Sequence, residues 1–296
     1  MKKRNHFLIS IILIIVFIGI SSFGLITNNV YAGDGINSPS IPNKGAGPFP
    51  PLTLKQKILL NKKLLRYQKW LKMQPKDIDP LDIPLSNLKL NSTLSDIESG
   101  EISIPLRRQE RYYWCGPASA QEILDYDWGY LSTVSKYSQS FLASKMGTNS
   151  TNGTYVYKLT NVLNQYKRSN FLWVYQQISS DETNASNDLY LKTKSDVSDY
   201  EGIVYHTNTY PYYGKDVWGE RYGLIGYYDP YGYSYHRTYH YVVGYGYLER
   251  SNGEHMVKYL DTNSANYGFG NPFGRHTVDA RNMATCVIYN ARYIIW

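Results

Sequence analysis

Cysteine is nearly absent, with two in 296 residues, Cys115 and Cys286. That excludes a disulfide-stapled scaffold. No Cys-x-x-Cys occurs and the six histidines lack the spacing of a zinc site, so neither a metal nor any other cofactor is expected. A glycine-rich phosphate loop is also missing. Charge is balanced rather than one-sided. The net +7 falls to +4 once residues 1–32, which hold Lys2, Lys3, Arg4 and no acid, are set aside. So mild a surplus points to no nucleic-acid partner. What the chain has in excess is tyrosine, 31 residues, which suits a strand-rich globular fold.

The N-terminus reads as an export signal. Basic residues through His6 precede an apolar run, Phe7 to Ile20, and Val30-Tyr31-Ala32 offers small residues at −3 and −1. Residues 1–32 are therefore expected to be a signal peptide, with a retained membrane anchor as the alternative, and the protein to be secreted or held at the cell surface.

Residues 33–100 are expected to hold a linker and a basic amphipathic helix that a prosegment would also provide. Residues 33–52 are rich in Gly, Pro, Ser and Asn. Thr53 with Gln56 forms a capping box for a helix ending before Pro75. Leu60, Leu64, Tyr67 and Leu71 share one stripe at 100° per residue, with Leu54, Ile58 and Leu65 beside it. Lys55, Lys62, Lys63, Arg66 and Lys69 lie opposite, and no acid interrupts 53–74. Such a helix fits an anionic cell envelope, a docked prosegment, or a helix packed on the domain with a solvated basic face.

Residues 101–296 are expected to be one catalytic domain. Ile102 to Leu106 reads as an edge strand, and a helix from Cys115 should run to about Asp127. Helices follow at 134–147 and to about Tyr166, then a strand at 171–175, a helix at 182–198 and a strand from Gly202 to His206. Tyrosine and glycine crowd 210–247, as a stacking surface or as rings that cover one another. Cys286, in the apolar run Ala284 to Tyr289, reads as a buried, unpaired core strand residue.

The chemistry is concentrated in Gln109-Glu110-Arg111-Tyr112-Tyr113-Trp114-Cys115-Gly116-Pro117-Ala118-Ser119. An extended run turns at Cys115 and enters a helix with Pro117 in its first turn. A thiol at a helix N-terminus faces unpaired N–H groups that favour its anion, the nucleophilic form. Gln109 is placed to return its amide toward the same point, where with the Cys115 N–H it would make an oxyanion hole. An isolated cysteine is more often a small apolar residue, so the rest of the chain must supply a base. His240 opens the strand Tyr241 to Tyr247; the chain turns at Asn252-Gly253 and returns through Met256 to Asp261, setting His240 beside Asp261. His236 is an alternative base and Asp229 a competing carboxylate.

The Gln109, Cys115-Gly116-Pro117-Ala118-Ser119 pattern resembles the bacteriocin-processing, double-glycine leader peptidases, peptidase family C thirty-nine, and their free-standing secreted relatives. The resemblance extends over about Ile102 to Trp296 and includes Met146-Gly147-Thr148 and Gly153-Thr154. It implies a papain-like cysteine peptidase of α+β class, N-terminal helices followed by an antiparallel sheet, acting on a peptide or protein substrate. It places the base at His240 and the third member at Asp261, where relatives commonly show Asp-Pro and this chain has Asp261-Thr262. With no transporter or ATPase motif, leader processing during export is not expected. An acyltransferase or cell-wall amide-remodelling enzyme would share the first chemical step, and an envelope-binding protein on this fold would use the tyrosine surface instead.

Overall fold

A computed structural model describes residues 53–73, 96–210, 223–227, 238–263 and 272–296. The expected signal peptide, His236, Asp229 and much of the tyrosine-rich segment lie outside them. All the described residues belong to one unit, residues 41–296.

The described elements are α1 (Leu54–Met73), β1 (Asp96–Glu101), α2 (Cys115–Trp128), α3 (Gln139–Met146), α4 (Val156–Tyr166), β2 (Tyr175–Gln177), α5 (Glu182–Ser198), β3 (Ile203–Asn208), β4 (Tyr239–Arg250), β5 (His255–Asp261), β6 (Gly274–Asp279), α6 (Ala280–Ile288) and β7 (Tyr293–Ile295). The sheet runs β2-β7-β3-β4-β5-β6, with β1 also on β4, and its pairings are antiparallel. This is the expected α+β arrangement. The long strand β4 organises it: β3 pairs along Tyr239 to Gly244, and β1 continues on from Gly246 to Arg250.

Helix ends follow local chemistry. Ser138 caps α3 by accepting from the Phe141 N–H at 3.2 Å, and Gly147 closes it in the left-handed region at φ 62°. That cap starts the helix five residues later than the apolar pattern suggested. Asp181 caps α5 through the Asn184 N–H, and this helix matches its expected bounds.

Three expectations are corrected. Cys286 lies in helix α6, not in a strand; Asp279 caps that helix by accepting from the Arg281 N–H at 2.6 Å. A short apolar run suits a buried helix as well as a strand, and the cap decides between them. The edge strand entering the domain is β1, Asp96 to Glu101, rather than Ile102 to Leu106. Ile102 still donates to the Tyr245 carbonyl at 2.9 Å, but Ile104 turns into the core. The strand expected at 171–175 begins at Tyr175, although Val174 and Trp296 exchange backbone bonds at 2.9 and 3.0 Å.

The core is aromatic, with Trp173, Trp296, Tyr190, Tyr205, Tyr227 and Tyr259 fully buried. Helix α1 is fastened to it. Tyr67 meets Trp296 edge-on at 5.4 Å, and Leu60, Leu64, Trp70 and Leu71 pack alongside. Lys63 Nζ lies 3.1 Å from both Asp196 Oδ2 and Glu201 Oε2, while Arg66 grips Glu201 at 2.9 and 3.1 Å. These ion pairs consume two of the cations that the sequence placed on the solvated face. Such buried charges persist because each has a partner.

Candidate active site

Helix α2 places the candidate nucleophile: Cys115 is its first residue, and the cap residue Trp114 makes no side-chain cap hydrogen bond. One turn on, the Ser119 hydroxyl donates to the Tyr241 carbonyl at 3.4 Å and docks this face of the helix on β4, next to His240. Gly116 permits a second approach: a Cβ there would lie 2.4 Å from Thr154 Oγ1. Thr154 is tied to Thr148 at 2.8 Å, and its carbonyl accepts from the Tyr241 hydroxyl at 2.7 Å. Gly153 and Thr154 thus line the cleft beside the cysteine, with Thr148 bracing Thr154.

The β4–β5 hairpin sets the base. Its turn has Gly253 at φ 82°, and Val243 pairs with Leu260. One step further along, Asp261 falls opposite Val242, on the same face as His240, since side chains alternate along a strand. His240 Nε2 and Asp261 Oδ1 are 2.9 Å apart, both buried. The other ring nitrogen, Nδ1, is not used by Asp261, and Cys115 lines the same cleft as His240. Burial works against a charged imidazole here, but the Asp261 charge and hydrogen bond, with a smaller contribution from Cys115, outweigh it and raise the pKa to about 10.

Asp261 is held as an acceptor. Its Oδ1 receives the Asn263 N–H at 2.8 Å and the Tyr227 hydroxyl at 3.3 Å besides His240, and Asn263 Nδ2 donates to that same tyrosine at 2.9 Å. Burial, then the Asp261 charge, pushes the Tyr227 phenol well up, which keeps it a donor.

Gln109 is buried and joined to the same strand end. Its N–H donates to the Thr262 carbonyl at 2.8 Å, and its Oε1 accepts from the Thr262 hydroxyl at 3.3 Å. Thr262 thereby secures the glutamine. One Gln109 amide hydrogen goes to the Arg111 carbonyl at 3.2 Å. The run carrying Gln109 is pinned by Gln139, which takes the Glu110 N–H at 2.9 Å and donates to the Arg108 carbonyl at 2.8 Å.

Sequence reasoning missed Tyr227, Asn263 and a carboxyl, Glu122. That side chain is fully buried on α2; Oε1 accepts from the Arg107 N–H at 2.9 Å, and Oε2 has no partner among the described residues. Burial pushes its pKa well up, the Arg107 bond opposes this, and the nearby Asp261 charge adds to it. Nothing in a lone Glu at a helix interior position signals such a setting. Cys286 Sγ is buried and free, with burial raising its pKa, and Cys115 is free as well. His255 stacks on Tyr190 at 4.0 Å, and His276 Nε2 pairs with the Pro272 carbonyl at 2.7 Å, both away from Cys115.

A cleft of about 80 Å³ opens on the sulfur, lined by Tyr112, Tyr113, Thr154, His206, Tyr239 and Tyr241 together with Cys115 and His240. His206 stacks on Tyr241 at 4.5 Å. A cysteine at a helix N-terminus and a histidine on an antiparallel sheet are two groups that the cysteine peptidase class requires. Within that class the chain belongs to the Peptidase_C39 like family, whose model matches residues 101–278.

Solved structures similar to the chain include two of bromelain and one of a ragweed cysteine protease. A recombinant stem bromelain precursor is 10% identical, covering 68% of this chain and 70% of that one, with a TM-score of 0.40. The bromelain protease from Ananas comosus in complex with the E64 inhibitor is 11% identical, covering 65% and 92%, at 0.36. The ragweed pollen allergen Amb a 11, in its proform, is 11% identical, covering 83% and 88%, at 0.39. No curated protein matches the chain.

Proposed function

We propose that this protein is a secreted peptidase that hydrolyses peptide or amide bonds through Cys115, His240 and Asp261, with Gln109 assisting. The observation that carries the reading is the 2.9 Å His240–Asp261 contact at a cleft that Cys115 and His240 line together. In this reaction the thiolate attacks the substrate carbonyl, and the oxyanion is received by the Cys115 N–H and the second Gln109 amide hydrogen. His240 gives its proton to the leaving amine as the C–N bond breaks, leaving a thioester. Water, deprotonated by His240, then attacks that thioester and releases the acid and the thiolate. Asp261 fixes the Nε2–H tautomer and favours the imidazolium throughout.

Incubating the protein with a diverse peptide library and reading cleavage by mass spectrometry tests this. Wild type should cut, while Cys115→Ala and His240→Ala should each be slower by about 10³-fold or more. Cleavage by Cys115→Ala at the wild-type rate would overturn it. Export predicts that protein recovered from the culture medium begins at Gly33; protein found only inside cells would remove that part of the proposal.

A further inference from the structure

Docking of α1 divides its surface. The stripe Leu60, Leu64, Tyr67 and Leu71 faces the core, and Lys63 and Arg66 are spent on α5 and on Glu201. Turned outward are Leu54, Ile58 and Leu65, which are 74%, 47% and 65% exposed, with Met73 at the end of the helix at 65%. At 100° per residue the first three lie within 40° of one another. Lys62, Lys69 and Lys72 share that exposed face, and the helix contains no acid at all.

We propose that this outer face of α1 is a docking surface for an anionic lipid bilayer. Large apolar side chains framed by lysines are what an interfacial helix presents: the apolar stripe enters the headgroup boundary while the ammonium groups meet lipid phosphates. Charge complementarity selects this occupant over a second copy of the chain, because pairing two such faces would set lysine against lysine with no carboxylate between them. The fastening by Lys63 and Arg66 matters here, since it fixes which side of the helix looks outward. This proposal is independent of the peptidase reading.

The full chain carrying Cys115→Ala and Leu65→Cys, labelled at position 65 with an environment-sensitive fluorophore, tests it with vesicles of phosphatidylglycerol and phosphatidylcholine or of phosphatidylcholine alone. The label should brighten several-fold, shift to the blue and be quenched by a lipid-borne quencher on the anionic vesicles only. The same label on exposed Asn187→Cys should stay unchanged, so that tethering through the N-terminal segment alone is distinguished from contact by α1. Adding Lys62→Glu, Lys69→Glu and Lys72→Glu should abolish the response, since each lysine contributes about fivefold to binding at such a surface. These lysines are exposed, and an unchanged thermal melt checks that the variant folds. A silent label at 65, an equal response on phosphatidylcholine, or a response that survives charge reversal would each overturn the proposal. Ile58→Cys provides a second label position with the same expected outcome.

Discussion

Thr262 and Gln109 hold each other twice: the Gln109 N–H donates to the Thr262 carbonyl at 2.8 Å, and the Thr262 hydroxyl donates to Gln109 Oε1 at 3.3 Å. The clasp joins the proposed oxyanion donor to the residue after Asp261. Thr262→Val keeps the shape and the backbone bond but removes the hold on Oε1, leaving the amide secured through the Arg111 carbonyl alone among the bonds described. Its kcat should fall about tenfold with KM nearly unchanged, against a loss of about 10²-fold for Gln109→Ala, where the donor itself is gone. Steady-state kinetics on one peptide substrate decides this; a pure KM effect would assign the clasp to substrate binding.

Asp261→Asn removes the charge that holds the His240 pKa near 10. The alkaline limb of kcat/KM should move to lower pH, and kcat should fall by about 10²-fold or more. The same pKa makes a stability prediction. A folded value of about 10 against an ordinary 6.5 means that the stabilisation is complete below pH 6.5 and is lost as pH rises through about 10. Denaturant melts across that window should show the loss in wild type and a flatter profile in His240→Gln.

Glu122 makes the opposite kind of variant informative. Its folded pKa is raised, so the unfolded chain ionises first, and folding is penalised increasingly as pH rises above the ordinary carboxyl range. Glu122→Gln keeps an acceptor for the Arg107 N–H and removes that penalty. Stability should be unaltered near pH 4 and greater than wild type near pH 8, measured by urea unfolding.

Lys63→Ala should cost about 3 kcal/mol, because it leaves carboxylates buried with too few partners. Asp196 has its pKa lifted to about 7, chiefly by burial and further by Glu201, with Lys63 opposing. Loss of Lys63 should therefore be felt more at pH 8 than at pH 5.5. Equal destabilisation at both would mean that packing of the lysine stem, rather than charge, joins α1 to the domain.

The parts of the site that were legible in the sequence were those fixed by local rules. Pro117 after Cys115 announces a helix start, and Asn252-Gly253 sets the hairpin parity that puts His240 and Asp261 on one face. What closes around them was not legible. Tyr227 reaches Asp261 from a segment 34 positions away, one tyrosine among 31, and no pattern separates it from its neighbours. Glu122 depends on tertiary burial, which helix periodicity does not report for a polar residue. The misread strand at Cys286 has the same origin, since a continuous apolar run carries no period, and only the Asp279 cap reveals the helix. On α1, charge alone suggested a solvated basic face, whereas Lys63 and Arg66 find carboxylates 133 and 135 positions away.

Hydrolysis through Cys115 requires its sulfur to become covalently acylated during turnover. Acid quenching a reaction with a slowly released peptide ester, followed by peptide mapping, should find the acyl group on the Cys115 peptide at close to one per chain and none on Cys286. Turnover with no adduct on Cys115, or with the adduct on another residue, would contradict it.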